Sequence, residues 1–367
     1  MFNSLPVSHI AFHDDVDGIV SAAVFLKAGF RNPIYRLYPV SSSMRGKNFQ
    51  SLVESMNLEE KDELVVLDYE HHPRANIWFD HHYSPDFGQE PVSNKSIRYN
   101  PNKLSAASMI IEEYSKSYQF PKSISDSVDM VDSAGYSDPK LIFNDESPIM
   151  ILRAYLEKII PHDMSYCRIV EILNECNLDI DAALYVMKID KSYVKIIRDE
   201  AFKAKEHLVV NNNMSILRQR RPNQFPRYCE YLIIPNIKYC IRLTKVDGQN
   251  VYFQIMCNKW HVTPNEINIG KSLSKIKFLN KAGGHFHVGG GVVKEDDVEK
   301  LLDELCYLFN KEEPMEKYGV DKEDPVEKQA SEMVKTGSEA SIDSARASVI
   351  EKKKGELETN AGDKEQL

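Results

Sequence analysis

ANIWFDHH (residues 75–82) contains an apolar run, Ile77-Trp78-Phe79, that stops abruptly at an acid and two adjacent histidines. A short continuous apolar run suits a strand buried inside a sheet, and its polar end then places Asp80, His81 and His82 at the sheet's edge. An ordinary polar turn would use the same residue types. What decides between the two is whether other apolar runs deliver matching groups to the same edge.

Working outward, the first 140 residues alternate strand and helix patterns. VSHIAFH (7–13), PIYRLYPV (33–40), DELVVLDYE (62–70) and SIRYN (96–100) read as further strands. GIVSAAVFLKAGF (18–30), a stretch around 48–57 and a run from Leu104 to Tyr118 read as helices. Strands alternating with helices predict an α/β fold with a doubly wound parallel sheet, whose ligands gather outside the carboxyl ends of its strands. From about 122 the pattern turns helical, and 189–212 reads as a long connecting helix. A smaller α/β region follows over 213–310, with EYLIIP (230–235), KYCIRLTKVDGQNVYFQIM (238–256) and FHVGGGVV (286–293) as strand signals and Asp247-Gly248 as a hairpin turn. DDVEKLLDELCYLFN (296–310) closes that region as an amphipathic helix, and no internal repeat is evident. The expected organisation is therefore 1–188, a connecting helix over 189–212, 213–310, and a charged tail over 311–367. The tail is rich in Glu, Lys, Asp, Ser and Ala, has Tyr318 as its only aromatic, and is expected to be disordered. A solubilising role is preferred for it, with a tether for a protein partner as the open alternative.

The 367 residues are 42% hydrophobic, enough for two domains with real cores, and the formal net charge of -9 argues against gripping long nucleic acid through an overall field. Small anions held in one locally basic cleft remain compatible with that charge. The six cysteines show no C-x-x-C pair, which suits reduced, buried thiols. MFNSLPVSHIAFHDDVDG has no basic leader region, and no uninterrupted apolar stretch approaches the length of a membrane span. A soluble, cytoplasmic protein is expected.

The carboxyl ends of the predicted strands carry the chemistry. The first ends in His13-Asp14-Asp15-Val16-Asp17-Gly18, the third in Asp68 and the fourth in Asp80-His81-His82. Clustered buried carboxylates are costly without cations. Mixed Asp and His donors suit Mn²⁺ or a similar divalent ion. Asp132, fifty residues beyond His82, is placed to fold back and close the cluster, with Asp129 as a less favoured alternative. On this reading His81 is a metal ligand and His82 meets the substrate.

These residues in this order resemble the DHH phosphoesterase superfamily, through HDDVDG (13–18), the strand-end Asp68, DHH (80–82) and the later Asp132. KAGGHFHVGGG (281–291) resembles the Gly-Gly-His motif of the DHHA1 domain, with Ala282 where the motif often has a further glycine. The resemblance spans about 1–310 and implies hydrolysis of phosphoester or phosphoanhydride bonds with two Mn²⁺ ions, Mg²⁺ or Co²⁺ being alternatives. It implies Asp15, Asp17, Asp68, His81 and Asp132 as ligands, with Asp68 bridging. It implies His82 at the scissile phosphate or leaving oxygen, and Asp80 orienting a neighbouring histidine or backbone group. His13 lies two residues before Asp15, the spacing of the RecJ-type branch, and its ligand role stays open. Gly283, Gly284 and His285 are the expected phosphate contacts, with Arg45 or Lys47 as candidates at the sheet edge. RQRRPNQFPR (218–227) is the one dense basic run, read as a charged surface loop in preference to a nucleic-acid contact.

The function expected is a Mn²⁺-dependent phosphoesterase acting on short oligonucleotides or dinucleotides, as a monomer or homodimer. A phosphatase for 3′-phosphoadenosine phosphate, an exopolyphosphatase, an inert nucleotide-binding scaffold and an editing-type module are the alternatives.

Overall fold

The structure, a computed structural model, describes residues 7–28, 34–41, 44, 46–82, 92–93, 97–158, 163–211, 213–220, 224–245, 248–261, 268–273, 275–279, 282–284 and 287–310. Strand β1 (Ser8–His13) leads into helix α1 (Val16–Ala28), followed by β2 (Tyr35–Val40), α2 (Lys47–Ser55), β3 (Glu63–Leu67), β4 (Ile77–Asp80), β5 (Val92–Ser93), β6 (Ile97–Tyr99) and α3 (Ala106–Tyr114). The first sheet has the order β2-β1-β3-β4-β6-β5. Its first five members in that order run parallel, and β5 is an antiparallel edge.

The two-residue alternation of the strands fills two separate cores. Ile10, Phe12, Val65, Leu67 and Phe79 pack with α1 and α3, whereas Ala11, Val66 and Trp78 pack with Phe49 and Val53 of α2 on the other face. Each large side chain buried this way contributes about 1.5–3 kcal/mol. Because β1 pairs with β2 on one side and β3 on the other, the chain reverses its winding direction there. That reversal leaves a crevice outside the carboxyl ends of β1 and β3, the usual ligand position in such sheets.

A helical segment follows: α4 (Lys122–Asp132), α5 (Pro148–Leu156), α6 (Asp163–Glu175), α7 (Ile180–Met187) and α8 (Ser192–Lys203). Here the chain departs from the expected connecting helix over 189–212. Helix α8 stops at Lys203, and β7 (Leu208–Asn211) is already an edge strand, antiparallel to β8 (Met214–Gln219). Its Val209-Val210 pair favours the extended backbone. EYLIIP also departs from expectation, since Cys229–Ile233 form the short helix α9, which buries Cys229 and Tyr231. The remaining elements are β9 (Tyr239–Lys245), β10 (Asn250–Cys257), α10 (Ile269–Leu273), β11 (Ala282–Gly284), β12 (Val288–Lys294) and α11 (Val298–Asn310). They complete a second sheet of order β11-β12-β10-β9-β8-β7, mostly antiparallel, with α10 and α11 over one face.

The described residues of the second region pack with the first as part of one unit ending at Glu316. Trp260 Nε1 donates to Tyr136 O at 2.8 Å, and Lys259 Nζ donates to Ser133 O at 3.2 Å. No disulfide links the six cysteines. No helix among the described residues is long and apolar enough to cross a membrane. The Asp247 half of the expected hairpin turn and the 311–367 tail lie outside the described residues.

Candidate metal centre

Three segments converge at the crevice. The first is the turn from β1 into α1. Asp15 caps α1, its Oδ1 accepting from Gly18 N at 3.1 Å. Gly18 has a steric reason to be glycine, because a Cβ there would sit 2.2 Å from His13 O. The helix start can therefore lie directly on the end of β1, which brings His13 Nδ1 within 2.9 Å of Asp15 Oδ2. Asp17, 1% exposed, turns its carboxylate onto the amino end of α3, accepting from Ala106 N at 2.7 Å and Ala107 N at 2.9 Å. Backbone donors at a helix N-terminus are a favourable partner for an anion.

The second segment is Asp68, just beyond β3. Its φ of 56° places it in the left-handed region, an uncommon conformation for a residue with a side chain. The bend is held by Asp68 N donating to Phe79 O at 2.8 Å and by Trp78 Nε1 donating to Tyr69 O at 2.7 Å. Trp78 and Phe79 are core residues. The bend turns the 1% exposed Asp68 toward both neighbours: Oδ2 lies 3.5 Å from His13 Nδ1, and Oδ1 lies 3.6 Å from His81 Nε2.

The third segment is Asp80-His81-His82, beyond the first residues of β4. His81 Nδ1 faces Lys103 O at 3.1 Å. Since a carbonyl only accepts, that nitrogen carries the proton, and Nε2 is directed to Asp132 Oδ2 at 3.1 Å and Asp17 Oδ2 at 3.5 Å. Asp80 Oδ1 accepts from His82 N at 3.0 Å and faces His82 Nδ1 at 2.9 Å. Asp132 ends α4, while Asp129, one turn earlier, has its Oδ1 engaged by Ser105 Oγ at 2.5 Å, the residue that caps α3.

Three groupings result: His13, Asp15 and Asp68; Asp17, His81 and Asp132; and Asp68, His81 and His82. Both carboxylate oxygens of Asp68 and Nε2 of His81 are buried without a hydrogen-bond partner. A buried carboxylate in that condition is costly unless a cation compensates it. The donor set of carboxylate oxygens and imidazole nitrogens, together with these orphaned atoms, fits divalent metal ions.

The electrostatics agree. Burial, then the charges of Asp17 and Asp15, push Asp68 well above the ordinary carboxylate range. Burial and then Asp132 push Asp17 up to about 7. Burial also opposes ionisation of Asp15, but His13 beside it holds its carboxyl below the ordinary range. Burial lowers His81, and the nearby Asp132, Asp17 and Asp68 carboxylates more than reverse that.

Of the other expected contacts, Gly283 and Gly284 lie in β11 and pair with Gly290 and Gly289 of β12. At Gly290 a Cβ would stand 2.6 Å from Phe253 O, so this ladder admits no larger residue there without movement. His285 and Arg45 lie outside the described residues, and Lys47 is exposed at the start of α2. Sequence reasoning had no signal for Ser105, which holds Asp129 across 24 residues, or for Ala106 and Ala107, which hold Asp17 across 89 and 90 residues.

The sequence matches no family model and no curated protein. Solved structures do resemble it. A pGpG-specific phosphodiesterase, PggH from Vibrio cholerae, is 20% identical, covering 83% of this chain and 99% of that chain with a TM-score of 0.56. RecJ from Thermus thermophilus in complex with Mn²⁺ is 12% identical, covering 84% of this chain and 53% of that chain with a TM-score of 0.47. The likeness to the phosphodiesterase shows that the two chains share a fold.

Proposed function

We propose that this chain, built on the DHH-superfamily fold, is a Mn²⁺-dependent phosphoesterase that hydrolyses phosphodiester bonds of short oligonucleotides or dinucleotides. One observation carries the reading: Asp68 is buried between two Asp/His groups with both its carboxylate oxygens left without hydrogen-bond partners. The similarity in fold to a phosphodiesterase named for the dinucleotide pGpG supports the substrate class.

In this reading His13, Asp15 and Asp68 would hold one ion and Asp17, His81 and Asp132 the other, with Asp68, which is also grouped with His81, available to both. Two bound divalent ions would supply charge neutralisation on the phosphoryl oxygens and a nucleophile at neutral pH. His82 does the remaining work from the protein side. Asp80 fixes its Nδ1, and the side chain stays 32% exposed, so Nε2 is free to contact the scissile phosphate or to protonate the leaving oxygen. Asp80 is thus a positioning residue for His82 and contacts the reacting groups only through it.

Metal binding should be linked to pH. In the metal-free protein burial and then Asp132 push Asp17 up to about 7, so between the ordinary carboxylate range and about 7 the folded state holds a proton that the unfolded chain has released. Stability of the metal-free form therefore falls as pH rises through that window, whereas metal binding needs the ionised carboxylate. A hundredfold excess of metal over Kd stabilises by about 2.7 kcal/mol, several degrees in Tm. The expected result is a larger Tm gain from Mn²⁺ at pH 8 than at pH 5.5. An equal or larger gain at pH 5.5 would contradict the linkage.

The activity is tested by Mn²⁺-dependent release of mononucleotides from a labelled five-nucleotide RNA, beside a dinucleotide, 3′-phosphoadenosine phosphate, polyphosphate and pyrophosphate. Cleavage of the RNA and the dinucleotide, reduced about 10²–10⁴-fold in His82→Ala, is the expected outcome. Phosphate release from polyphosphate or pyrophosphate alone would move the substrate class. Silence across the panel with metal bound would overturn the reading.

A further inference from the structure

One short turn supports three of the candidate ligands without containing any of them. It runs from Lys103 to Ala107, between β6 and the first residues of α3. Its entry is fixed to the first sheet, where Asn100 N donates to Asp80 O at 3.1 Å and Lys103 N donates to Asn100 O at 3.1 Å. Lys103 O then accepts from His81 Nδ1 at 3.1 Å, and Ala106 N and Ala107 N hold the two oxygens of Asp17. The third ligand is reached through Ser105, whose Oγ donates to Asp129 Oδ1 at 2.5 Å. Asp129 lies on α4, the helix that ends at Asp132.

Ser105 is the joint of this arrangement. It is buried and caps α3, its Oγ accepting from Ser108 N at 3.1 Å. A hydroxyl has one proton to give and two lone pairs, so the same oxygen caps α3 and donates to Asp129 at once. Asp129 in turn is bound into the end of its own helix, its carbonyl accepting from Ser133 N at 3.1 Å and from Ser133 Oγ at 2.6 Å. One side chain therefore locks the start of α3, which holds Asp17, to the end of α4, which carries Asp132. Those two carboxylates flank His81 Nε2 at 3.5 and 3.1 Å. The group of His13, Asp15 and Asp68 is oriented from other parts of the chain: Asp15 by Gly18 N, and Asp68 by the bend held at Phe79 O.

We propose that Ser105, paired with Asp129, is the positioning residue for one half of the metal centre. It sets the spacing of Asp17, His81 and Asp132, and with it the affinity for the ion those three would hold. The affinity of His13, Asp15 and Asp68 for the other ion does not depend on it. The inference rests on the two-ion reading and deepens it by giving the two ions separate supports. Groups bonded to the ligands, and not to the metal, fix how the ligands point, and their loss typically costs about 10–100-fold in metal affinity.

The test titrates metal-free protein with Mn²⁺ in a calorimeter, with no substrate present. Ser105→Ala is expected to weaken one ion about 10–100-fold and to leave the other near its wild-type affinity. Asp129→Ala keeps the α3 cap and should give the same selective loss, whereas Asp129→Asn keeps an acceptor facing Ser105 and should bind both ions nearly as the wild type does. Asp179→Ala is the control. It removes the cap of α7, where Asp179 Oδ1 accepts from Ala182 N at 3.1 Å, and should leave both ions unchanged. Equal weakening of both ions in Ser105→Ala, or weakening of neither, would overturn the proposal. A single ion in the wild type that Ser105→Ala weakens would uphold the positioning role while sinking the two-ion reading. A single ion that Ser105→Ala leaves unchanged, or no ion at all, would sink the positioning role itself. Turnover is not read in this titration, so an absence of hydrolysis would bear on the phosphoesterase reading alone.

Discussion

Asp68→Asn is expected to abolish Mn²⁺-dependent turnover while making the metal-free protein more stable. The substitution keeps size and shape but removes the charge at the point where the two ligand groups meet. Loss of one preorganised electrostatic partner costs roughly 10²–10³-fold in rate, and a residue shared by two ions should cost at least that. Stability moves the other way for a simple reason. Burial and the Asp17 and Asp15 charges already disfavour the ionised Asp68, and its oxygens have no donors to compensate them. Removing that charge should stabilise the metal-free protein by on the order of 1 kcal/mol at pH 8. Thermal unfolding without metal, alongside rates with Mn²⁺, checks both halves. A variant that keeps near-wild-type rates at saturating Mn²⁺ would remove Asp68 from the site. A variant that unfolds well below the wild type without metal would make its role structural.

The second large effect is on folding. Arg242, 4% exposed, and Glu230, 0% exposed, form a buried two-point ion pair at 2.5 and 2.9 Å. Arg242→Met strands the Glu230 carboxylate and releases the Phe225 and Pro226 carbonyls. Breaking such a pair from one side costs about 3–5 kcal/mol. Replacing both members, as Arg242→Met with Glu230→Leu, should recover part of that loss, since no charge is then left buried. Chemical denaturation of the three proteins reads this directly. A single variant within about 0.5 kcal/mol of the wild type would show that the pair is not desolvated as the structure has it.

Much of the first region was legible because its cues are local. Apolar runs ending in acids or histidines mark strand ends, and the order of those ends is enough to predict one ligand-bearing edge. What the sequence could not carry depends on contacts distant in the chain. The choice between Asp129 and Asp132 is an instance: they stand nearly one helical turn apart, and what distinguishes them is their distant partners, Ser105 for Asp129 and His81 for Asp132. The left-handed bend at Asp68 leaves no mark in the sequence beyond the residue itself. Arg153 looks like any charged residue on an amphipathic helix until its burial is seen. The misreadings have similar causes. Leu208-Val209-Val210 follows a helical pattern without a break signal, and Tyr231-Leu232-Ile233 carries strand-favouring residues that tertiary packing holds as a helix.

The central claim is a pair of metal ions sharing Asp68, and it is tested most directly by titrating metal-free protein with Mn²⁺ and following the ions by electron paramagnetic resonance. The account predicts two ions bound per chain with a spin-coupled signal, and in Asp68→Asn fewer ions and no coupling. One isolated ion in the wild type, or a coupled pair that survives Asp68→Asn, would contradict it.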